Sequence, residues 1–90
     1  MQKKRKPRIP TPLQLDVKIY SHKLARQGYT VVQIGQILGK HHSTITYNKS
    51  ICEDYLSVDR RFRERYEQFD EADFVQQFAQ YQHQLSTATA

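Results

Sequence analysis

Three features of this 90-residue sequence predict an all-α protein, a small bundle of four to five helices with a helix-turn-helix at its centre. Apolar residues recur at helical spacing in several segments, no alternating strand pattern or repeat stands out, and threonine, glycine and proline stand where helices begin and end. The length makes one domain with one modest core. Its expected limits are a basic arm over 1–10, a helix-turn-helix domain with a C-terminal helical segment over 11–85, and a frayed tail over 86–90.

The arm is read as disordered. It is basic, has two prolines and offers only Ile9 as a sizeable apolar residue after Met1. The first helix starts at Thr11, an N-cap residue, with Pro12 suited to the first turn. Leu15, Ile19 and Leu24 form its apolar stripe, widened by Leu13, Val17 and Tyr20. Gly28 supplies a left-handed stop. Thr30 caps a short second helix, "VVQIGQIL", in which Ile34, Leu38 and Val31 share a face. Gly35 inside that helix costs about 1 kcal/mol against alanine, so a neighbouring helix is expected to pass close to it. Gly39 ends the helix.

A third helix is expected to start near Ser43. Ile45, Cys52 and Tyr55 lie on its inner face, widened by Ile51, and Asn48 falls on that face as a mild anomaly. A fourth helical segment runs from about Asp59 into the eighties. Phe62, Tyr66 and Phe69 step by four and three, and Phe74, Phe78, Tyr81 and Leu85 repeat the pattern. The step of five between Phe69 and Phe74 breaks phase and predicts a kink or break near Phe69–Asp73.

Charge is divided along the chain. Residues 1–50 carry +9 and residues 51–90 carry −4, within a net +5. That asymmetry suggests a face for a polyanion and a second, different face. "KKRKPR" sets five cations in six residues, and the bias continues at Lys18, Lys23, Arg26, Lys40 and Lys49. One cysteine, Cys52, excludes an internal disulfide framework and a cysteine-based metal cluster. No apolar run approaches the roughly 18 residues a membrane span needs. No secretory signal is read at the start, so a cytoplasmic, nucleoid-associated location is expected.

The most informative stretch is "QIGQILGKHHSTITYNKS". A short helix, a glycine turn and a helix with a small, polar first turn make a helix-turn-helix layout. Such a helix presents its first side chains to base edges while its inner face stays packed. Small hydroxyl residues permit close approach, and a threonine methyl can meet a thymine methyl. Free N–H groups at the helix start favour a phosphate.

"QIGQILGKHHSTITYNKSICEDY" resembles the C-terminal DNA-binding domain of the bacterial replication initiator DnaA, in the Trp-repressor-like helix-turn-helix group. That family's signature is a glycine-containing turn, a basic residue, then Asp-His-(Ser/Thr)-Thr-Val. Gly39, Lys40, His42, Ser43, Thr44 and Ile45 match it, and the resemblance spans roughly Lys6 to Phe69. His41 stands where the family has an aspartate that caps the recognition helix. Ser43 is the replacement cap expected here, one turn later. The turn is also one residue shorter than is common in the family. No "GxxxxGK[ST]" phosphate loop occurs, so the resemblance implies a stand-alone reader of double-stranded DNA, without ATP hydrolysis.

By that resemblance His42 and Thr44 reach bases, helped by Ser43 and Thr46, while Lys40 and Lys49 take phosphates. Thr30 meets the backbone, and Arg5, Lys6 and Arg8 lie along it or enter the minor groove. His41 is either a contact or plain exposed surface. Tyr47 is either a contact or a packing residue. Regulation of replication or transcription is the expected role.

No enzyme activity, cofactor or metal is expected. Adjacent His41 and His42 do not share a helix face, and His22 and His83 lack ligand spacing to them. Ser43 has no strand-turn-helix elbow around it. Two alternatives stay open. "IGQILGKHHSTI" also resembles the reading domains of transposases and phage regulators. "YEQFDEADFVQQFAQYQHQL" could instead serve a homodimer or a protein partner, making the chain a small adaptor.

Overall fold

The computed structural model describes the backbone of residues 11–89 and the side chains of residues 12–83. Arg5, Lys6, Arg8 and Leu85 lie outside the side chains described. The protein is all-α, with five helices and no strand among the described residues.

α1 (Thr11–Arg26) ends in a left-handed stop. Gly28 has φ +105°, its N–H bonds the Ala25 carbonyl at 3.1 Å, and the Tyr29 N–H reaches back to Leu24 at 3.2 Å. This is the Schellman closure that a positive-φ residue permits. α2 (Val31–Leu38) starts on a reciprocal capping box. Thr30 Oγ1 accepts the Gln33 N–H at 3.1 Å, and Gln33 Oε1 accepts the Thr30 N–H at 2.9 Å. Gly39, at φ 67° and ψ 37°, closes α2.

α3 (His42–Val58) begins one residue before the position expected from sequence. Asp59 alone separates it from α4 (Arg60–Glu67). Its N–H bonds the Tyr55 carbonyl at 2.8 Å, and its carboxylate accepts the Phe62 N–H at 3.1 Å. One residue thus ends one helix with its backbone and starts the next with its side chain. α5 (Glu71–Thr89) follows the break that the phase shift predicted. The Asp70 carboxylate accepts the Asp73 N–H at 3.1 Å, and Glu71 and Asp73 add negative charge to the first turn. The helix runs through Thr89, so the segment expected to fray belongs to α5 as far as that residue.

Two apolar clusters hold the bundle. The larger joins Leu13, Val17, Tyr20 and Leu24 of α1 to Ile34 and Leu38 of α2, Ile45 of α3, and Phe74 and Phe78 of α5. The smaller packs Ile19, Cys52 and Phe62. Aromatic rings tie α5 to α1: Tyr20 and Phe74 centroids lie 5.0 Å apart, and Phe74 and Phe78 are 5.4 Å apart. The Tyr20 hydroxyl donates to Glu71 at 2.7 Å. Burial and that carboxylate push the Tyr20 phenol up to about 12. Asn48, the polar residue on the inner face of α3, is buried there.

Across the bundle, Arg65 of α4 forks onto Asp16 of α1 at 2.8 and 3.3 Å and reaches the Pro12 carbonyl at 3.2 Å. The paired forks fix the α1–α4 register more tightly than a single amine could. No helix among the described residues is long and apolar enough to cross a membrane.

Candidate nucleic-acid interface

The turn between α2 and α3 is as tight as its backbone allows. A Cβ on Gly35 would lie 2.5 Å from the Lys40 carbonyl oxygen and 3.6 Å from the His42 nitrogen. The close neighbour of Gly35 is therefore the turn itself and the start of α3, not the body of another helix. The Lys40 N–H completes the lock by bonding the Gly35 carbonyl at 2.8 Å. From the other side, Gln82 of α5 comes against Gly39, where a Cβ would meet its Nε2 at 3.3 Å. α2, the turn and α3 are thus packed as one piece.

On that piece α3 has two contrasting faces. Ile45, Asn48 and Cys52 are buried. His42, Ser43, Thr44, Thr46 and Tyr47 are exposed, with Tyr47 at 60%. Tyr47 is thus surface and not core. Ser50, seven residues beyond Ser43 on a 3.6-residue helix, is exposed as well. The resemblance does not point to Ser50, and helical spacing from Ser43 is the signal that finds it.

His41 corrects the expected start of α3. It is the N-cap itself, and Ser43 is its partner and not the cap. The Ser43 N–H donates to His41 Nδ1 at 3.1 Å, and the Ser43 hydroxyl lies 2.8 Å from the same nitrogen. A backbone N–H can only donate, so Nδ1 is the acceptor and the hydroxyl also donates to it. The Ser43 oxygen keeps its lone pairs free to accept. Thr46 Oγ1 donates to the His42 carbonyl at 3.1 Å. The His41 and His42 rings lie against each other at a tilt of 32°, 4.2 Å between centroids.

Thr30 is a cap first. Both its N–H and its hydroxyl oxygen are engaged in the capping box, which leaves the hydroxyl hydrogen for any outside acceptor. Lys40 is half-buried, and burial together with Lys18 of α1 holds its amine below the usual lysine range. Lys49 is also half-buried. It and Arg26 both act on His22, so these two cations flank one histidine. That histidine bridges three helices, with Nδ1 2.8 Å from the Tyr66 hydroxyl and Nε2 3.5 Å from Glu53. Burial is the main cause that lowers its pKa.

Lys18 stands near Lys40, and Arg26 and Lys49 stand near His22. Lys23 is held inward, its amine 4.2 Å above the Tyr66 ring centroid. Arg63 donates to the Leu56 carbonyl at 3.0 Å near the end of α3, and Arg60 pairs with Glu64 at 3.8 Å. No group of three or more His, Cys, Asp or Glu that could hold a metal occurs among the described residues.

No family model matches this chain, and neither a curated protein nor a solved structure matches it. The residues and their geometry alone bear on what the face does.

Proposed function

We propose that this chain binds double-stranded DNA sequence-specifically, as an initiator-type helix-turn-helix reader that regulates replication or transcription. One observation carries it: α3 is pinned through Gly35 and buries Ile45, Asn48 and Cys52, while His42, Ser43, Thr44, Thr46 and Tyr47 stand outward from its first turns. A pinned inner face with a polar outer start is what major-groove reading requires.

In this mechanism Lys40 and Lys49 take phosphates and supply salt-dependent affinity. His42 and Thr44 meet base edges, with the Thr44 methyl suited to a thymine methyl. The Ser43 oxygen, its proton committed to His41, accepts from an exocyclic amine. The chain acts in this reading as a binder and not as an enzyme.

The adaptor reading is the weaker one. Phe74 and Phe78 of the acidic aromatic segment are 2% and 7% exposed, and Tyr81 packs against the same cluster. The stripe on which a partner would dock is spent on α1 and α2.

Selection from a randomised duplex pool at two salt concentrations tests the proposal. A shared motif and a steep salt slope are expected. Thr44→Ala should weaken the selected site by about 1–3 kcal/mol and relax one position, whereas Lys49→Ala should weaken all duplexes alike and lower the salt slope by about 1. Binding without any enrichment would overturn sequence-specific reading.

A further inference from the structure

His41 is the position at which this chain departs from the initiator-like signature, and its geometry constrains its proton. Nδ1 accepts the Ser43 N–H at 3.1 Å, so that nitrogen carries a lone pair and no hydrogen. A neutral imidazole has one proton, which must then sit on Nε2 at the other edge of the ring. The ring is exposed and lies 4.2 Å from the His42 ring, within the polar start of α3. An aspartate in this place could cap the helix equally well, but it would offer only acceptors.

We propose that His41 is a proton-gated specificity residue: the neutral ring caps α3 through Nδ1 and offers Nε2–H to an acceptor on a base edge, such as guanine O6 or N7. This rests on the DNA-binding reading above. Protonation at Nδ1 sets one N–H against another, that of Ser43, and the cap is lost. The first turn of α3, with His42, Ser43 and Thr44 on it, then loses its fixed start, while the ring gains a charge that any phosphate can use. Acid therefore trades sequence preference for general affinity.

The groups around His41 are cationic or neutral. The His42 ring lies 4.2 Å from it at a tilt, Lys40 precedes it, and Lys18 of α1 stands near Lys40. From α5 the uncharged Gln82 reaches Gly39. No ion pair to a carboxylate involves His41 among the described residues. The test needs a variant that removes only the His41 proton site. Asparagine does so, since it caps well and does not ionise.

The experiment has two arms on the full chain. In the first, imidazole nitrogen NMR of the free protein, taken from about pH 8 to about pH 5, spans the interval in which histidines protonate. The Nε2–H tautomer is expected at the upper end, with the Ser43 amide shifting as His41 titrates. A proton on Nδ1 at the upper end overturns the proposal. In the second arm, the ratio of affinities for a selected duplex and a random duplex is followed across the same range. It should fall about fivefold in the unchanged protein, equivalent to about 1 kcal/mol, and by much less in His41→Asn. An equal fall in both assigns the effect to His42 and sinks the idea. If His41→Asn weakens every duplex alike at the upper end, Nε2–H meets phosphate, and the base-edge assignment is wrong. If no sequence is ever enriched, the DNA reading fails along with the base contact, and the ring spectrum still decides the cap.

Discussion

Gly35→Ala sets helix propensity against packing, and the two predict opposite signs. In an isolated helix the substitution should stabilise by about 1 kcal/mol. In this fold the new Cβ would stand 2.5 Å from the Lys40 carbonyl oxygen. Ordinary contact lies roughly 1 Å further out, so one of the two must move by most of that distance. The obstacle is backbone and cannot swing aside as a flexible side chain would. It is also fastened, because the Lys40 N–H holds the Gly35 carbonyl at 2.8 Å and Gly39 sits at φ 67°.

Overpacking of this kind costs about 1–3 kcal/mol, and straining the bond from Lys40 adds about 1 kcal/mol. After the propensity gain, a net loss of about 1–3 kcal/mol remains. For a domain of this size each kcal/mol lowers the melting midpoint by about 4–8 °C. Thermal and urea unfolding, followed by far-UV circular dichroism, read the effect directly. A midpoint equal to or above that of the unchanged protein would refute the close approach of turn to helix. Gly39→Ala is the useful companion. Its neighbour is the movable Gln82 side chain, so its cost of about 1–2 kcal/mol should come from the left-handed backbone alone.

Thr30→Ala removes one half of the capping box and should cost about 1 kcal/mol in urea unfolding, without altering the cooperativity of the transition. Phe78→Ala opens a cavity beside Phe74 and Leu38 and should cost about 3–5 kcal/mol, seen as a large fall in melting midpoint. Alkali should weaken the fold. Burial pushes the Cys52 thiol from 9.0 and the Tyr20 phenol from 10.0 up to about 12, so the fold favours both neutral forms. That contribution is whole below those ordinary values and drains away as pH climbs from them towards about 12. The urea midpoint should therefore fall steadily above about pH 9, with the early part of the fall missing in Cys52→Ser. A thiol-alkylating reagent should label Cys52 only as fast as the protein opens.

Local signals in the sequence were read well where a single residue carries them. Thr30 caps, Gly28 and Gly39 take positive φ, and the five-residue step from Phe69 to Phe74 marks the real break between α4 and α5. Properties that need two distant partners were not legible. The cost of glycine at position 35 was visible, but the approaching atom, a carbonyl five residues on, depends on how the turn closes. Lys23 counts as basic in any sequence tally, yet the Tyr66 ring holds its amine. Sequence comparison sets His41 against an aspartate cap, and does not show that its imidazole nitrogen accepts the same N–H. Ser43 was expected to cap because hydroxyls commonly do, but a cap must precede the helix, and α3 already includes Ser43.

The C-terminal stripe shows how far pattern alone can go. Phe74, Phe78 and Tyr81 recur at helical spacing whether they meet this chain or a partner, because periodicity reports that a face is apolar and not what covers it. The covering surface is supplied by α1 and α2, through Tyr20 and Leu38. Once those contacts exist, Val75 is the one large apolar side chain that α5 leaves exposed among its described residues, at 47%. The same packing carries α5 along the back of the helix-turn-helix until Gln82 meets Gly39. α5 therefore belongs to the core and touches the turn from which α3 departs through one movable side chain. Shortening it before Phe74 should uncover the core and lower the melting midpoint, and that loss distinguishes a packed core helix from an appended docking helix.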